Sequence, residues 1–195
     1  MPADLILASG SRYRRELLER LDIAFRVETG DVDETPQPGE APATLATRLA
    51  RAKAVAVAAR HPASWVIGAD QVAVIDGRIV GKPGNAERAT AQLQAASGQT
   101  VTFFTAACLL RQEPAELVHH LDETRVSFRR LSAAEIARYL ELERPFDCAG
   151  SFKSEGLGIA LMERIESIDP TALVGLPLIW LSQALGRARL GPLTT

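Results

Sequence analysis

The apolar residues of this chain follow two periods, one typical of buried strands and one typical of amphipathic helices. Residues 5–8 form a short, continuous apolar run, as a strand buried on both faces does. Between positions 44 and 60, apolar residues at 45, 49, 52 and 56 recur at helical spacing, with basic residues between them. Segments of the two kinds alternate along the chain, and two long strand-like segments occupy its middle. This order predicts an α/β or α+β fold built on a mixed sheet.

Turn and capping residues set the limits of the other predicted elements. Asp76-Gly77, between two apolar β-branched runs, is a strong signal for a hairpin. Ser132 and Glu135 form a capping box that opens a helix. A helix capped by Ser11 is expected to carry Leu17, Leu18 and Leu21 on one face, and residues 31–42 are expected to form a loop. Strands are expected over 25–27, 65–75, 101–110, 117–128 and 159–165, and Asp70-Gln71 is expected to interrupt the second of them. Two further helices are expected over 85–96 and 177–185, and Gly186 is expected to lie beyond the end of the last one.

Length, composition and charge bound the class of protein. With 195 residues and 47% hydrophobic content, the chain is long enough to bury a core as a single domain over residues 1–195, with room for two lobes. The net charge of −2 argues against a nucleic-acid binder, which usually has a basic surplus. The two cysteines, Cys108 and Cys148, form no disulfide framework, and no apolar run approaches the ~20 residues of a membrane span. We therefore expect a soluble, cytoplasmic protein without nucleic-acid or membrane partners.

Asp70 is the strongest single indication of a functional site. It directly follows the apolar run 65–69, and a carboxylate beside a buried strand is costly unless it pairs, binds metal or faces a cleft. Its position indicates the end of a buried strand, where the sites of open α/β sheets occur. Asp70 is therefore a candidate metal ligand or general base. Lys82, twelve residues further on, is a candidate phosphate ligand.

Three further segments carry residues suited to a polyanion or its metal ion, each with a plainer alternative. The turn at residues 9–11 lets an anion approach a helix N-terminus, and Arg14 adds a fork of donors for phosphate oxygens; the alternative is a capped surface helix. The carboxylates of residues 31–34 suit Mg²⁺ or Mn²⁺, or else form a solvated acidic loop. Lys53, on the basic face of its helix, is by itself most simply a solvated side chain.

Other catalytic templates do not fit the chain. His61, His119 and His120 lack the spacing of zinc ligands, and the nucleophile elbow Gly-x-Ser-x-Gly is absent. Residues 77–82 resemble a phosphate-binding P-loop but are one residue short, and the hairpin explains their glycines better. Cys108 lies in an apolar strand and is expected in the core.

Taken together, the motifs resemble the Maf family of nucleotide pyrophosphatases in order and spacing, across nearly the whole chain. No single motif is decisive, but their combination is highly specific. The matching segments are Leu5-Ile6-Leu7-Ala8-Ser9-Gly10-Ser11 with Arg14; Asp33-Glu34-Thr35; Arg48-Leu49-Ala50 with Lys53; Gly68-Ala69-Asp70-Gln71; Gly81-Lys82-Pro83; Ala149-Gly150-Ser151; and Val174-Gly175-Leu176-Pro177-Leu178.

The resemblance implies a fold, a reaction and a set of site residues. The implied fold is an inosine-triphosphatase-like mixed twisted sheet flanked by helices, with two lobes and a central cleft. The implied reaction is hydrolysis of a nucleoside triphosphate to the monophosphate and pyrophosphate, with a divalent metal cation, Mg²⁺ or Mn²⁺, as cofactor. By their places in the motifs, Asp70 is the proton acceptor, Asp70 and Glu34 are the metal ligands, and Ser9, Arg14, Lys53 and Lys82 bind the substrate phosphates.

Three positions are associated with the choice of base in this family, and here they are Tyr13, Gln71 and Glu155. An aromatic residue, Gln and Glu are typical of the branch that acts on 7-methyl-GTP, whereas the pyrimidine-specific branch has Arg, Thr and Gln. The chemistry agrees, because a 7-methylguanine ring is cationic and would gain a cation–π contact from Tyr13 and charge complementarity from Glu155. Two features depart from the pattern: Arg12 replaces the usual proline, and Tyr13 stands where Trp is frequent.

The expected activity is therefore hydrolysis of 7-methyl-GTP, in a house-cleaning role that prevents incorporation of modified nucleotides. Two alternatives stay open at this point. One is a pyrimidine pyrophosphatase that acts on dTTP or UTP, and the other is a non-catalytic nucleotide-binding regulator of septum formation or cell division. A regulator needs the cleft but not Asp70, so the joint presence of Asp70, Lys53 and Lys82 favours an enzyme. Whether the chain forms a homodimer is also left open.

Overall fold

The computed structural model describes residues 4–194, in which strands and helices alternate as the apolar pattern predicts. Three short 3₁₀ turns, over Ala149–Ser151, Leu157–Leu161 and Ala172–Val174, complete the regular structure of that range. The main elements are β1 (Leu5–Leu7), α1 (Arg12–Glu19), β2 (Arg26–Val27), α2 (Pro42–Ala58), β3 (Trp65–Ile75), β4 (Arg78–Val80), α3 (Ala86–Ala96), β5 (Thr100–Arg111), β6 (Glu116–Phe128), α4 (Ala133–Glu143), β7 (Met162–Glu166) and α5 (Leu178–Arg187).

The strands of the described range form one mixed sheet. They pair in the order β2-β1-β3-β5-β6-β7, and β4 pairs with the last residues of β3. Strand β1 runs parallel to β2 and β3, whereas the pairs β3–β4 and β6–β7 are antiparallel. The predicted α/β fold with a mixed sheet is therefore confirmed.

The chain divides into two compact units, and it passes from one to the other inside the long strands β3, β5 and β6 and again between Ile168 and Asp169. The first unit comprises the residues up to Asp70, Thr105–Asp122 and the residues from Asp169 onward. The second comprises Gln71–Phe104 and Glu123–Ile168. The single two-lobed domain with a central cleft stays a prediction.

In the first unit, helices cover both faces of β1 and the first half of β3. Alternate side chains of a strand face opposite sides of its sheet. Leu5, Leu7 and Ile67 pack into a cluster with α1 and α5, whereas Ile6 and Val66 pack with α2. All five side chains are 2% exposed or less. Apolar burial on both faces explains why these strands are continuous hydrophobic runs.

Helix α2 crosses β3 at Gly68, where the two backbones touch. A Cβ on Gly68 would overlap the carbonyl oxygen of Ala50 and lie 2.8 Å from the Cβ of Ala54. Gly30 has the same function in the loop before α2, since a Cβ there would lie 2.8 Å from the Cβ of Ala56. These two glycines bring the loop, the helix and the strand within side-chain reach of one another.

An ion pair fixes the acidic loop that precedes α2. Arg48 donates from Nε and Nη2 to the two carboxylate oxygens of Glu40, at 2.6 and 2.8 Å, and Nη2 also donates to the carbonyl of Thr35 at 3.1 Å. The Arg48 guanidinium, together with the Gln37 amide, lowers the pKa of Glu40 from 4.5 to about 2. A bidentate pair of this kind holds a loop more firmly than a single contact does.

The second unit is organised by the β3–β4 hairpin and by helices α3 and α4. Asp76 and Gly77 have φ values of 49° and 71°, as a type I′ turn requires, so the predicted hairpin is confirmed. The predicted capping box is also confirmed. The Oγ of Ser132 accepts from the amide of Glu135 at 3.2 Å, and the Glu135 carboxylate accepts from the Ser132 amide at 2.8 Å.

The prediction that Asp70 and Gln71 interrupt the strand is wrong. Strand β3 runs without a break from Trp65 to Ile75, so Asp70 lies inside a strand and not at its end. The cost of a carboxylate there is offset by a charged partner on α2, which the local pattern does not reveal.

Two other predicted boundaries are also wrong. The strand expected over 159–165 begins later, because residues 157–161 form a 3₁₀ turn in which Gly158 packs on the backbone of Lys153. Gly186 lies within α5, not beyond its end, because its backbone does not take the left-handed conformation that ends many helices.

Gly68→Ala is expected to lower the free energy of unfolding by about 3 kcal/mol, because the added methyl group overlaps the backbone of α2. The same substitution at Gly186, which lies in a helix with open space around it, should raise it by about 0.5–1 kcal/mol. Denaturant unfolding measures both changes. Two effects of the same sign would contradict the close approach of α2 to β3.

The ion pair of Glu40 predicts an acid-sensitive contribution to stability. The pKa of Glu40 is lower in the folded chain, so the pair stabilises the fold above pH 4.5, and this contribution is lost as the pH falls from 4.5 toward 2. The stability of Glu40→Gln should lack this part of the acid dependence. The variant should therefore be closest in stability to the wild type near pH 2. Thermal unfolding from pH 7 to pH 2 checks this. If the two proteins differed in thermal stability by the same amount at pH 7 and at pH 2, this expectation would be contradicted.

Candidate active site

Lys53 lies between two carboxylates in the first unit. Its Nζ is 2.6 Å from Oε1 of Glu34 and 2.7 Å from Oδ1 of Asp70. The side chains of Lys53 and Asp70 are 13% and 11% exposed, whereas Glu34 is largely exposed. These three residues, hereafter the Lys53 cluster, are candidates that the sequence placed on separate segments. The lysine is not a solvated surface residue.

The close packing of α2 on β3 explains how the Lys53 cluster forms. Side chains two positions apart share a face of a strand, so Gly68 and Asp70 face the same helix. Gly68 contacts the turn of α2 around Ala50 and Ala54, and Lys53 projects from that turn over the next position on the strand. A helix held further away would leave Asp70 buried without its partner.

Arg14, from helix α1, lies in the same electrostatic environment. Its Nη1 donates to Oγ of Ser9 at 3.3 Å, and its Nε donates to the carbonyl of Gly175 at 2.9 Å. Burial lowers the pKa of the Arg14 guanidinium, and the charges of Asp70 and Glu34 act in the opposite direction. The contact with Gly175 was not predicted, although its segment was among the matching motifs. The φ of 127° at Gly175 is a backbone conformation suited to glycine.

The turn between β1 and α1 is ordered by two serines. The Oγ of Ser11 accepts from the amide of Arg14 at 3.4 Å and caps the helix, as predicted. The Oγ of Ser9 accepts from the amide of Ser11 at 3.2 Å. The capped-helix alternative is therefore right about Ser11, but Arg14 is held by the protein and is not a solvated arginine. An anion bound at this turn stays a prediction.

Tyr13 already contacts a cation. The guanidinium of Arg12 lies 4.7 Å from the centre of the Tyr13 ring, and its Nη2 donates to the phenolic oxygen at 2.6 Å. Arg12, which replaces the usual proline, is therefore stacked on Tyr13, the residue expected to bind the base.

The other three candidates, Gln71, Lys82 and Glu155, belong to the second unit. Gln71 follows Asp70 in β3, Lys82 follows β4, and Glu155 lies in the turn before the second 3₁₀ segment. Lys82 and Glu155 are exposed. The Oγ of Ser154 donates to Oε2 of Glu155 at 3.3 Å.

Gln92, on helix α3, joins the segments that carry Lys82 and Glu155. Its Nε2 donates to the carbonyl of Gly81 at 3.1 Å, and its Oε1 accepts from Oγ of Ser151 at 2.5 Å. Sequence analysis missed this residue, because a glutamine in a helix has no local signature. One side chain therefore links the segments beside Lys82 and Glu155.

The described residues contain no group of three or more His, Cys, Asp or Glu side chains suited to a metal ion. Glu34 and Asp70 converge on the same lysine nitrogen, so they form a pair of hard oxygen donors.

Cys108 is buried, as expected of a core residue. Burial raises the pKa of its thiol from 9.0 to about 11, which disfavours the thiolate that nucleophilic chemistry requires.

Across residues 4–194, no helix has the length and apolar character that a membrane crossing requires.

Comparison with solved structures finds the Staphylococcus aureus Ham1 protein, with a TM-score of 0.45 and 16% identity over 64% of this chain and 71% of that chain.

Curated relatives match this chain over nearly its whole length. A 7-methyl-GTP pyrophosphatase of Bordetella pertussis is 56% identical over 197 residues, which cover 100% of this chain and 96% of the relative. A protein of the same name from Xanthomonas oryzae pv. oryzae is 58% identical over 184 residues, which cover 94% of this chain and 96% of the relative. The family model described as Maf-like protein matches residues 4–188. With a match of this extent, the chain belongs to the Maf-like protein family.

Proposed function

We propose that this chain is a nucleoside triphosphate pyrophosphatase that hydrolyses 7-methyl-GTP to the monophosphate and pyrophosphate. The observation that carries the proposal is the Lys53 cluster, in which one largely buried lysine side chain contacts two carboxylates close to Arg14. This arrangement combines a base with cations for phosphate. The name of the relatives from Bordetella pertussis and Xanthomonas oryzae supports the same substrate.

Asp70 is the proposed general base. Water attacks the α-phosphorus and gives its proton to the Asp70 carboxylate. The bond between the α-phosphorus and the oxygen that bridges to the β-phosphate breaks, and pyrophosphate leaves with that oxygen. Asp70 is suited to this role because the contact with Lys53, at 2.7 Å, holds its carboxylate in one position within a rigid strand.

The phosphates are the proposed ligands of Arg14, Lys53 and Lys82, with the Ser9 hydroxyl as a further donor. Arg14 is oriented by the hydroxyl of Ser9 and by the carbonyl of Gly175. A partly buried guanidinium interacts with an anion more strongly than an exposed one, because water screens it less. Charge that develops on the leaving pyrophosphate would be stabilised by these groups.

A divalent cation fits the donor set of the Lys53 cluster. Mg²⁺ and Mn²⁺ usually take one or two carboxylates together with phosphate oxygens and water, and Asp70 and Glu34 are two carboxylates at one place. These two residues would hold the ion, and the Lys53 ammonium, which contacts both of them here, would move toward the substrate phosphates. When bound, it supplies charge neutralisation at the phosphate oxygens.

Tyr13, Gln71 and Glu155 are the proposed determinants of the base. Tyr13 is suited to this role because the face of an aromatic ring attracts positive charge and a methylated guanine is cationic; the Arg12 guanidinium already lies over the same ring, at 4.7 Å from its centre. Glu155 is exposed and can present its carboxylate to a ligand. The amide of Gln71 can both donate and accept hydrogen bonds.

The proposed biological role follows from the product. A monophosphate cannot serve as a polymerase substrate, so hydrolysis removes the modified nucleotide before it is incorporated.

Asp70→Asn is expected to lower kcat by about 10³-fold or more, because an amide cannot accept the proton from water. The protein should stay folded, since the amide oxygen still accepts from Lys53. Pyrophosphate release measures activity, and circular dichroism checks the fold. Asp76→Asn is the matched control, because it makes the same change in the hairpin turn, where Asn is well tolerated. Wild-type pyrophosphate release by Asp70→Asn would overturn the assignment.

A panel of 7-methyl-GTP, GTP, UTP, dTTP and CTP, each assayed with Mg²⁺, Mn²⁺ or EDTA, tests the substrate and the metal together. We expect the highest kcat/KM with 7-methyl-GTP and no turnover in EDTA. Faster turnover of UTP or dTTP would replace the proposal with a pyrimidine pyrophosphatase. Binding without turnover of any nucleotide would replace it with a non-catalytic regulator.

A further inference from the structure

One carboxylate ties the loop that carries Glu155 to the end of helix α4. Glu143, the last residue of α4, accepts from Nζ of Lys153 at 2.6 Å through Oε1, and from the amide of Leu157 at 2.8 Å through Oε2. The two partners lie on either side of Glu155 in the chain. The side chains of Glu143 and Lys153 are 12% and 17% exposed, so water screens their interaction only weakly.

The backbone of the loop is shaped to this carboxylate. A Cβ on Gly156 would lie 2.6 Å from Oε2 of Glu143, and a Cβ on Gly158 would overlap the carbonyl oxygen of Lys153. The amide of Lys153 also donates to the phenolic oxygen of Tyr139 at 3.1 Å. The residues around Glu155 are therefore held against α4 at several points.

Lys153 lies within the electrostatic reach of two glutamates. The hydrogen bond to Glu143 raises the pKa of Lys153 against the effect of burial, and the charge of Glu155 adds a smaller contribution in the same direction. Lys153, together with the Leu157 amide, lowers the pKa of Glu143. Glu143, which contacts the ammonium at 2.6 Å, and Glu155, two positions along the chain from Lys153, thus both act on one ammonium group.

Position 153 has a lysine in a chain whose basic residues are mostly arginine. Only three of the 22 basic residues of the chain are lysines, at positions 53, 82 and 153. An ammonium on a flexible stem is a compact charge that can exchange partners, unlike the planar guanidinium of arginine. A lysine at this position is therefore able to exchange one carboxylate partner for another.

We propose that Glu143 is a positioning residue for base selection: by holding the Lys153 ammonium, it leaves the negative charge of Glu155 available for a cationic base. This inference rests on the proposed function, in which Glu155 recognises 7-methylguanine. Glu143 does not contact the substrate in this account. It acts through Lys153 and through the loop backbone.

The test compares kcat/KM for 7-methyl-GTP with kcat/KM for GTP, because the two bases differ mainly in charge. In Glu143→Gln the ammonium of Lys153 loses the carboxylate that it contacts at 2.6 Å, and we expect it to turn toward Glu155. We expect the ratio to fall about tenfold, through a higher KM for 7-methyl-GTP, while kcat for GTP changes less than about twofold. Glu141→Gln is the matched control, because Glu141 is on the same helix and its side chain is 68% exposed.

A second substitution separates charge control from a structural role. Glu143→Gln combined with Lys153→Met removes the competing ammonium, so the ratio should recover to within about threefold of the wild type, even if thermal unfolding shows a less stable protein. If the loop contacts matter only for stability, the double variant will be no more selective than Glu143→Gln. That result, or an unchanged ratio in Glu143→Gln, would overturn the inference.

The preference of the wild type for 7-methyl-GTP over GTP distinguishes failure of this inference from failure of the proposed function. A wild type that does not prefer 7-methyl-GTP to GTP, or hydrolyses neither, overturns the proposed function and the inference with it. A wild type that has the preference, with variants that keep it, overturns the inference alone.

Discussion

The ion pair between Lys53 and Asp70 is the interaction on which the candidate site depends. It joins the middle of a helix to the middle of a buried strand, and it forms only because Gly68 lets the two backbones touch. Removing one partner of such a pair leaves a buried charge, which costs several kcal/mol. The packing of α2 therefore makes chemistry at Asp70 compatible with a stable sheet. Glu34 adds a second carboxylate from a loop that Gly30 and the Arg48–Glu40 pair hold against the same helix.

The hairpin turn and the helix cap, which sequence analysis predicted correctly, have causes that lie within a few residues. The Asp76-Gly77 turn and the Ser132 capping box follow from local backbone and hydrogen-bonding preferences. The break expected at Asp70 does not occur because its cause is not local: the partner is seventeen residues away on another element. A single sequence contains no direct record of such a pair.

In the candidate site, too, sequence analysis missed contacts between residues that are distant in the chain. The combination of motifs identified Ser9, Arg14, Glu34, Lys53 and Asp70, and the first unit brings these residues together or into electrostatic contact. The carbonyl that orients Arg14 is 161 positions further along the chain, and the hydroxyl that contacts Gln92 is 59 positions away. Backbone carbonyls and helix glutamines have no compositional signature, so only the fold reveals that they position a site.

The two hydrogen bonds of Gln92 couple the segments of the second unit that carry Lys82 and Glu155. Because one amide side chain bonds both the Gly81 carbonyl and the Ser151 hydroxyl, the segments beside Lys82 and Glu155 share an anchor on α3. A shift of either segment alone would break one of the two bonds and leave a polar atom without its partner, so the two are energetically coupled. On the proposed assignment, a phosphate ligand and a base ligand therefore lie on segments that are anchored to the same helix, so a substitution at Gln92 would alter both.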